Sequence, residues 1–159
     1  MEGNPKVLEA LNDVLRAELT AINQYFLHAK MTENWGYKRL YDFNEKNSIE
    51  EMKHAEIIME RMLYLDGRPE MGADKLNIGK TVQQQIENDF ALEKEAIPRL
   101  QKAIKLCAEV GDAGTKNLFE GILKDEEKHA SDLEEHLQLI KDMGIENYLG
   151  LQVDKGNNP

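Results

Sequence analysis

One cysteine, Cys107, stands among 159 residues. A lone thiol forms no disulfide within its own chain. That sets aside the stapled folds of small secreted proteins and points to a reducing compartment, the cytoplasm. Prolines number four, and aromatic residues make up only 6%. The opening MEGNPK lacks the apolar core of a secretory leader. No apolar run approaches the ~20 residues that cross a bilayer, so no membrane partner is expected. Basic charge is scarce too: 20 Lys and Arg stand against 30 Asp and Glu, a net charge of −10. Nucleic-acid binders carry the opposite balance, so no nucleic acid is expected. An acidic balance serves solubility, or it draws cations.

What the chain does have is helical patterning. Leu, Ile, Ala, Glu and Lys dominate, a palette of helix formers. Apolar residues at helical spacing predict four long helices over about 5–33, 37–65, 81–110 and 113–143, and a short one over about 146–153. Asn4 is a candidate N-cap with Pro5 behind it, and Thr81 with Gln84 reads as a capping box. Val7, Leu8, Leu11, Leu15, Leu19, Ile22 and Phe26 form the expected apolar stripe of the first helix. Pro98 predicts a bend in the third. The last residues, GNNP, read as frayed. Each long helix would extend roughly 45 Å. Short breaks make the first and second helices antiparallel neighbours, and likewise the third and fourth. The connection from about Gly67 to Lys80 is longer, with Leu76 and Ile78 available to pack it down. The expectation is an all-α fold: one domain over 1–159, a four-helix bundle with one long crossover connection and a short C-terminal fifth helix.

Several glutamates sit where the core should be. Glu18 has Leu11, Val14, Leu15, Ala21, Ile22 and Tyr25 at neighbouring helical offsets. Glu93 and Glu126 are similarly placed, whereas Glu51 has the polar Asn47 and Ser48 on one side. The spacings repeat: Glu51 lies 33 residues after Glu18, and Glu126 lies 33 after Glu93. Each second member opens a Glu-x-x-His: Glu51 with His54, and Glu126 with His129. Positions three apart share a helix face, so each pair can enter one site. A single such pair in so charged a chain is an ordinary solvated contact. Two, each at the same interval from a core glutamate, describe an internal repeat of two helical hairpins. Four carboxylates and two imidazoles would then meet inside the bundle. Unpaired, each buried carboxylate costs several kcal/mol. Two divalent ions would cancel the four charges, and mixed oxygen and imidazole donors suit iron or manganese over calcium or magnesium. This is the ligand pattern of carboxylate-bridged di-iron bundles. His28 and His136 stand outside it and read as surface or structural residues.

The chain also resembles a known family, the bacterioferritins. The likeness runs nearly end to end: AINQYFLHA (21–29), NWG (34–36), EEMKHAE (50–56), KLNIG (75–79), ALE around Glu93, LKDEEKHA (123–130) and MGIENYL. The resemblance implies a ferritin-like fold and a ferroxidase centre that oxidises Fe(II) with dioxygen or hydrogen peroxide. Glu51 and Glu126 would bridge two irons, Glu18 and His54 completing one site and Glu93 and His129 the other. Tyr25 would either adjoin the centre or serve as a core aromatic. The family also implies a haem b shared by Met52 from each of two chains, a hollow 24-mer shell that stores ferric mineral, and a ferredoxin as electron donor.

One departure stands out: Lys46 occupies a position where several family members carry a histidine of an inner-wall iron site. Glu50 remains, but a protonated lysine is a poor ligand, so that auxiliary site is in question. Within the same fold, a rubrerythrin-like peroxidase would need four cysteines, and a DNA-protecting mini-ferritin a basic tail. The alternative from another class is a catalytically silent, haem-binding or structural shell subunit.

Overall fold

The structure, a computed structural model, describes residues 1–153. The expected frayed end at 156–159 lies outside the described residues. Five helices and no strand occur among the described residues: α1 (Pro5–Asn34), α2 (Lys38–Tyr64), α3 (Val82–Val110), α4 (Ala113–Met143) and α5 (Ile145–Gln152). None of them is long and apolar enough to cross a membrane.

The helix ends follow the local chemistry. Asn4 accepts the Lys6 backbone N–H at 2.9 Å, and Pro5 opens α1. Thr81 caps α3 by accepting the Gln84 N–H at 3.2 Å, while the Gln84 side chain accepts the Lys80 N–H at 2.9 Å. That closes the box one residue earlier than its usual form. Gly111, at φ 78°, ends α3 in the left-handed conformation that costs glycine nothing. Asp112 then caps α4 and also accepts Arg61 at 2.9 Å, tying that end to α2. Pro98 lies within α3, which continues through it unbroken. Pro98 and Lys94 both sit on the exposed face, so the carbonyl left without its N–H partner faces water.

α1 packs chiefly on α2 and α3 on α4, with α1 also against α3. The crossover between Leu65 and Thr81 runs along α1 and is fastened there by a ladder of polar side chains. Asn12 accepts the Glu70 N–H at 2.9 Å, Thr20 the Asp74 N–H at 2.9 Å, and Gln24 the Asn77 N–H at 3.0 Å. His28 Nε2 accepts the Gly79 N–H at 3.1 Å. Accepting there leaves the ring hydrogen on Nδ1, which faces the Asp89 carboxylate at 3.0 Å. Of the two readings open for His28, the structure gives the structural one: the ring is fully buried. His136 is structural as well, its Nδ1 hydrogen-bonded with the Tyr148 hydroxyl at 2.6 Å and thereby docking α5 on α4.

The apolar core is split. One cluster gathers Val7, Leu11, Leu15, Ile58, Phe119 and Ile122 with their neighbours at one end of the bundle. The other gathers Leu40, Ile86, Leu133, Ile140 and Tyr148 at the opposite end. Between them lies a belt of buried polar residues that includes all six of the expected ligands, Gln24, His28 and Asp89. One expectation fails: Phe26 is 54% exposed and lies outside the core stripe. The inward row continues instead through Glu18, Ala21, Tyr25 and His28. Phe26 follows Tyr25 by one residue, about 100° around the helix.

Gly79 is where the crossover presses hardest on α3: a Cβ there would lie 2.3 Å from the Gln85 backbone nitrogen. Gly79→Ala is therefore expected to destabilise the fold by about 1–3 kcal/mol, seen as a lower thermal unfolding temperature. An unchanged unfolding temperature would contradict this packing.

Candidate metal centre

α1, α2, α3 and α4 each bring a glutamate to the polar belt, and α2 and α4 each add a histidine one turn further on. The structure brings all six expected residues together. Two sets form, Glu18, Glu51, His54 and Glu126, and Glu51, Glu93, Glu126 and His129, each with ligand atoms within 4.8 Å of one another. Glu51 and Glu126 belong to both. His54 Nδ1 lies 3.4 Å from Glu18, 3.7 Å from Glu51 and 3.0 Å from Glu126. His129 Nδ1 mirrors it, 3.0 Å from Glu51, 3.6 Å from Glu93 and 3.6 Å from Glu126.

Every one of the six is at most 4% exposed. Glu51 is buried although Asn47 and Ser48 flank it, because those two residues are buried with it, the Ser48 hydroxyl donating to the Ile22 carbonyl at 2.9 Å. Atoms aimed inward have no hydrogen-bond partner: one oxygen each of Glu18, Glu51 and Glu93, both of Glu126, and Nδ1 of both histidines. Buried polar atoms are rarely left so. These are the atoms that would bind metal, so the residues present fit a pair of ions. A small cavity of about 30 Å³ adjoins the four carboxylates, large enough for only one or two water-sized occupants. It meets a wider groove between α1 and α3 at Ala17, Asp74 and Arg99.

Without ions, the charges are balanced by protons. Burial, then the charge of Glu126, raises the Glu18 carboxyl, and burial with the charge of Glu18 raises Glu51 well above its usual range. Burial also raises Glu93 well above it. Burial opposes charge on Glu126 as well, but the close approach of Glu93, His129, His54 and Glu51 outweighs it and holds this carboxyl well below the ordinary value. Burial works against both imidazolium ions, yet the carboxylates of Glu126 and of Glu18 or Glu93 beside them prevail, pushing His54 and His129 up to about 11.

Three further contacts border the centre. The Tyr25 hydroxyl donates to Glu93 at 2.7 Å, so Tyr25 adjoins the centre as well as filling the core. Asp125 and Glu50 reach the outer nitrogens of His54 and His129, at 2.8 and 2.5 Å. Sequence reasoning missed both roles, though a signal was present. Each carboxylate directly precedes the glutamate of a Glu-x-x-His, so the repeat is one residue longer than it looked. Lys46, 4.0 Å from Glu50, is exposed and faces that carboxylate.

A family model, the ferritin-like domain, matches residues 8–143. The bacterioferritin of Mycolicibacterium paratuberculosis is 49% identical over 149 residues, 93% of this chain and 94% of the relative. That of Mycobacterium avium is 48% identical over the same shares. The bacterial ferritin of Pseudomonas aeruginosa is 40% identical over 154 residues, 96% of this chain and 100% of the relative. This chain belongs to the bacterioferritin family.

Another feature of this chain lies on the flank of α2. Met52 points away from the centre and is 47% exposed, with Ile49 three residues before it also exposed. The Ser48 bond to Ile22 ties α2 to α1 one turn before Met52, and Phe26, one turn after Ile22 on α1, is exposed too. An open thioether with an exposed isoleucine one turn away is a surface that an apolar group can cover.

The protons in the centre yield a prediction. A divalent ion competes with them, so binding must release them. Adding Zn(II) to the metal-free protein in dilute buffer at pH 7 is expected to acidify the solution, and affinity is expected to fall as the pH is lowered. Binding with neither effect, in a titration followed by a pH indicator, would contradict these charge assignments.

Proposed function

We propose that this protein takes up Fe(II), oxidises it at the paired centre and stores the ferric product inside a hollow shell built from copies of the chain. One observation carries the proposal: two overlapping ligand sets, sharing Glu51 and Glu126, whose inward atoms have no other partners. The names of its relatives, bacterioferritin and bacterial ferritin, support iron as the cargo.

The substrate ions would sit in the two sets. Glu18 and His54 hold one, Glu93 and His129 hold the other, and Glu51 and Glu126 span both. Each Fe(II) gives up one electron. Two such electrons reduce dioxygen, with two protons, to hydrogen peroxide. Alternatively they reduce hydrogen peroxide, with two protons, to two waters. Holding both donors in one site makes the two-electron step intramolecular. Four carboxylates favour the more highly charged ferric ions, and binding of the ferrous pair displaces the protons that the reduction consumes. Tyr25 holds Glu93 in place from the side.

Met52 would hold haem b at an interface between two copies, with the exposed Ile49 one turn away beside it. Bound there, haem supplies one-electron transfer at a potential raised by thioether ligation, which suits reduction and release of stored iron. A ferredoxin is the class of donor that would feed it. The full assembly would be the 24-mer shell of the family, working in the cytoplasm, where the buried thiol of Cys107 stays reduced.

Two outcomes test this. Adding Fe(II) to metal-free protein in air is expected to give rapid absorbance growth saturating at two ions per chain. Glu51→Ala, which removes a member of both sets, is expected to reduce the initial rate to that of buffer. Oxidation no faster than buffer in the unaltered protein would instead mark a silent shell subunit. Separately, Met52→Leu is expected to abolish the Soret band of the purified protein, and an unchanged haem content would remove Met52 from its assigned role.

A further inference from the structure

The small cavity beside the four carboxylates has a mouth. It meets the groove between α1 and α3, and three residues line both: Ala17 of α1, Asp74 of the crossover and Arg99 of α3. Ala17 is small and apolar, so the charge of the mouth falls to the other two. The groove itself holds about 840 Å³. Its lining is unlike the rest of the molecule. The chain carries a net charge of −10, yet five basic side chains line the groove against four acidic ones. Arg99, Lys102 and Lys105 follow one another along the wall that α3 supplies.

Arg99 reaches furthest in. Of the five basic residues it alone also lines the small cavity, in company with Glu18, Glu51, Glu93 and Glu126. It is half-buried. Its side chain makes no ion pair or hydrogen bond among the described residues. Arginine leaves water most readily where a carboxylate receives it. This one is held beside four of them and comes within ion-pair distance of none.

We propose that Arg99 is a charge filter at the mouth of the centre, slowing the passage of divalent cations while passing the neutral oxidants, dioxygen and hydrogen peroxide. The proposal rests on the paired centre of the proposed function. A cation in the mouth must pass a fixed positive charge between protein walls that screen it poorly. A neutral molecule meets no such barrier. The filter acts in both directions: an ion already bound is kept from leaving by the same charge, so the metal pair is retained while the oxidant comes and goes.

Two carboxylates oppose it. Asp74 stands at the same mouth, and Glu95, one turn before Arg99, lines the cavity too. Both are exposed. Water and salt screen their charges more than they screen a half-buried guanidinium, so the arginine governs the path. The ordinary alternative is that one of these carboxylates cancels Arg99 as a loose surface pair, in which case removing the arginine changes little.

Stopped-flow mixing of Co(II) with the metal-free protein separates the two, followed by the visible absorption of cobalt among its ligands. Cobalt(II) is not oxidised in the assay, so the rate reports entry alone. One charge several ångströms from the ion's path changes an entry rate by roughly 3–10-fold in a partly screened setting. Arg99→Gln is expected to speed binding by that factor, and Arg99→Glu by more. Arg99→Lys keeps the charge and is expected to stay near the wild-type rate. Release of bound Co(II) to a chelator is expected to quicken in the same order, so that affinity at equilibrium moves less than either rate. That pattern is not produced by a residue that merely supports the fold. Added salt is expected to narrow the differences. Arg99→Gln and Arg99→Glu variants that take up Co(II) no faster than wild type overturn the proposal. Equal rates for Arg99→Gln and Arg99→Lys overturn it as well, because the charge then plays no part. Wild-type protein that fails to bind two Co(II) per chain overturns the paired centre instead, so the two failures are distinguishable.

Discussion

Four carboxylates held at mid-height of a helical bundle, out of contact with water, are the constraint around which the rest of this structure is organised. Left charged and alone they would repel one another in a medium that screens poorly. The protein surrounds them with two imidazoles, a tyrosine hydroxyl and an apolar cluster at each end. The ends supply the burial that holds four long helices in register. The middle is kept polar and poorly satisfied, which is what suits it to hold ions under the proposed function. Stability and function are thereby separated along the bundle axis.

The crossover serves the same end. It carries the chain from α2 to α3 so that the second hairpin can repeat the first. It does so pinned to α1 by Asn12, Thr20, Gln24 and His28 rather than by an apolar seam of its own. Gln24 and His28 also meet Asp89 of α3, so the fastening of the crossover and the placement of α3 are one network. Glu93 follows Asp89 by one turn, and the register of that ligand depends on this network. A polar ladder suits a position beside a polar belt, where an apolar seam would have extended the core into the site.

Much of the centre was legible in the sequence because a helix converts spacing directly into a shared face. Glutamates among leucines, followed at a fixed interval by Glu-x-x-His, state both the six residues that come together and their meeting point. The helix limits were within a residue or so for the same reason, since caps such as Asn4, Thr81 and Gly111 mark them chemically. The missed features depend on contacts between helices. Asn47 and Ser48 made the setting of Glu51 look less apolar than that of the other glutamates, but they are buried with it. Phe26 looked like core because its spacing matched a stripe that in fact rotates toward Tyr25. The contacts of Asp125 and Glu50 were not legible, because spacing along one helix says nothing about a histidine on another.

The most direct measurement is diffraction from crystals of the metal-free protein soaked in Mn(II), with anomalous difference maps recorded near the manganese edge. The account predicts two peaks per chain, one enclosed by Glu18, Glu51, His54 and Glu126, and the other by Glu51, Glu93, Glu126 and His129. A centre without density, while the ion binds elsewhere on the chain, would contradict it.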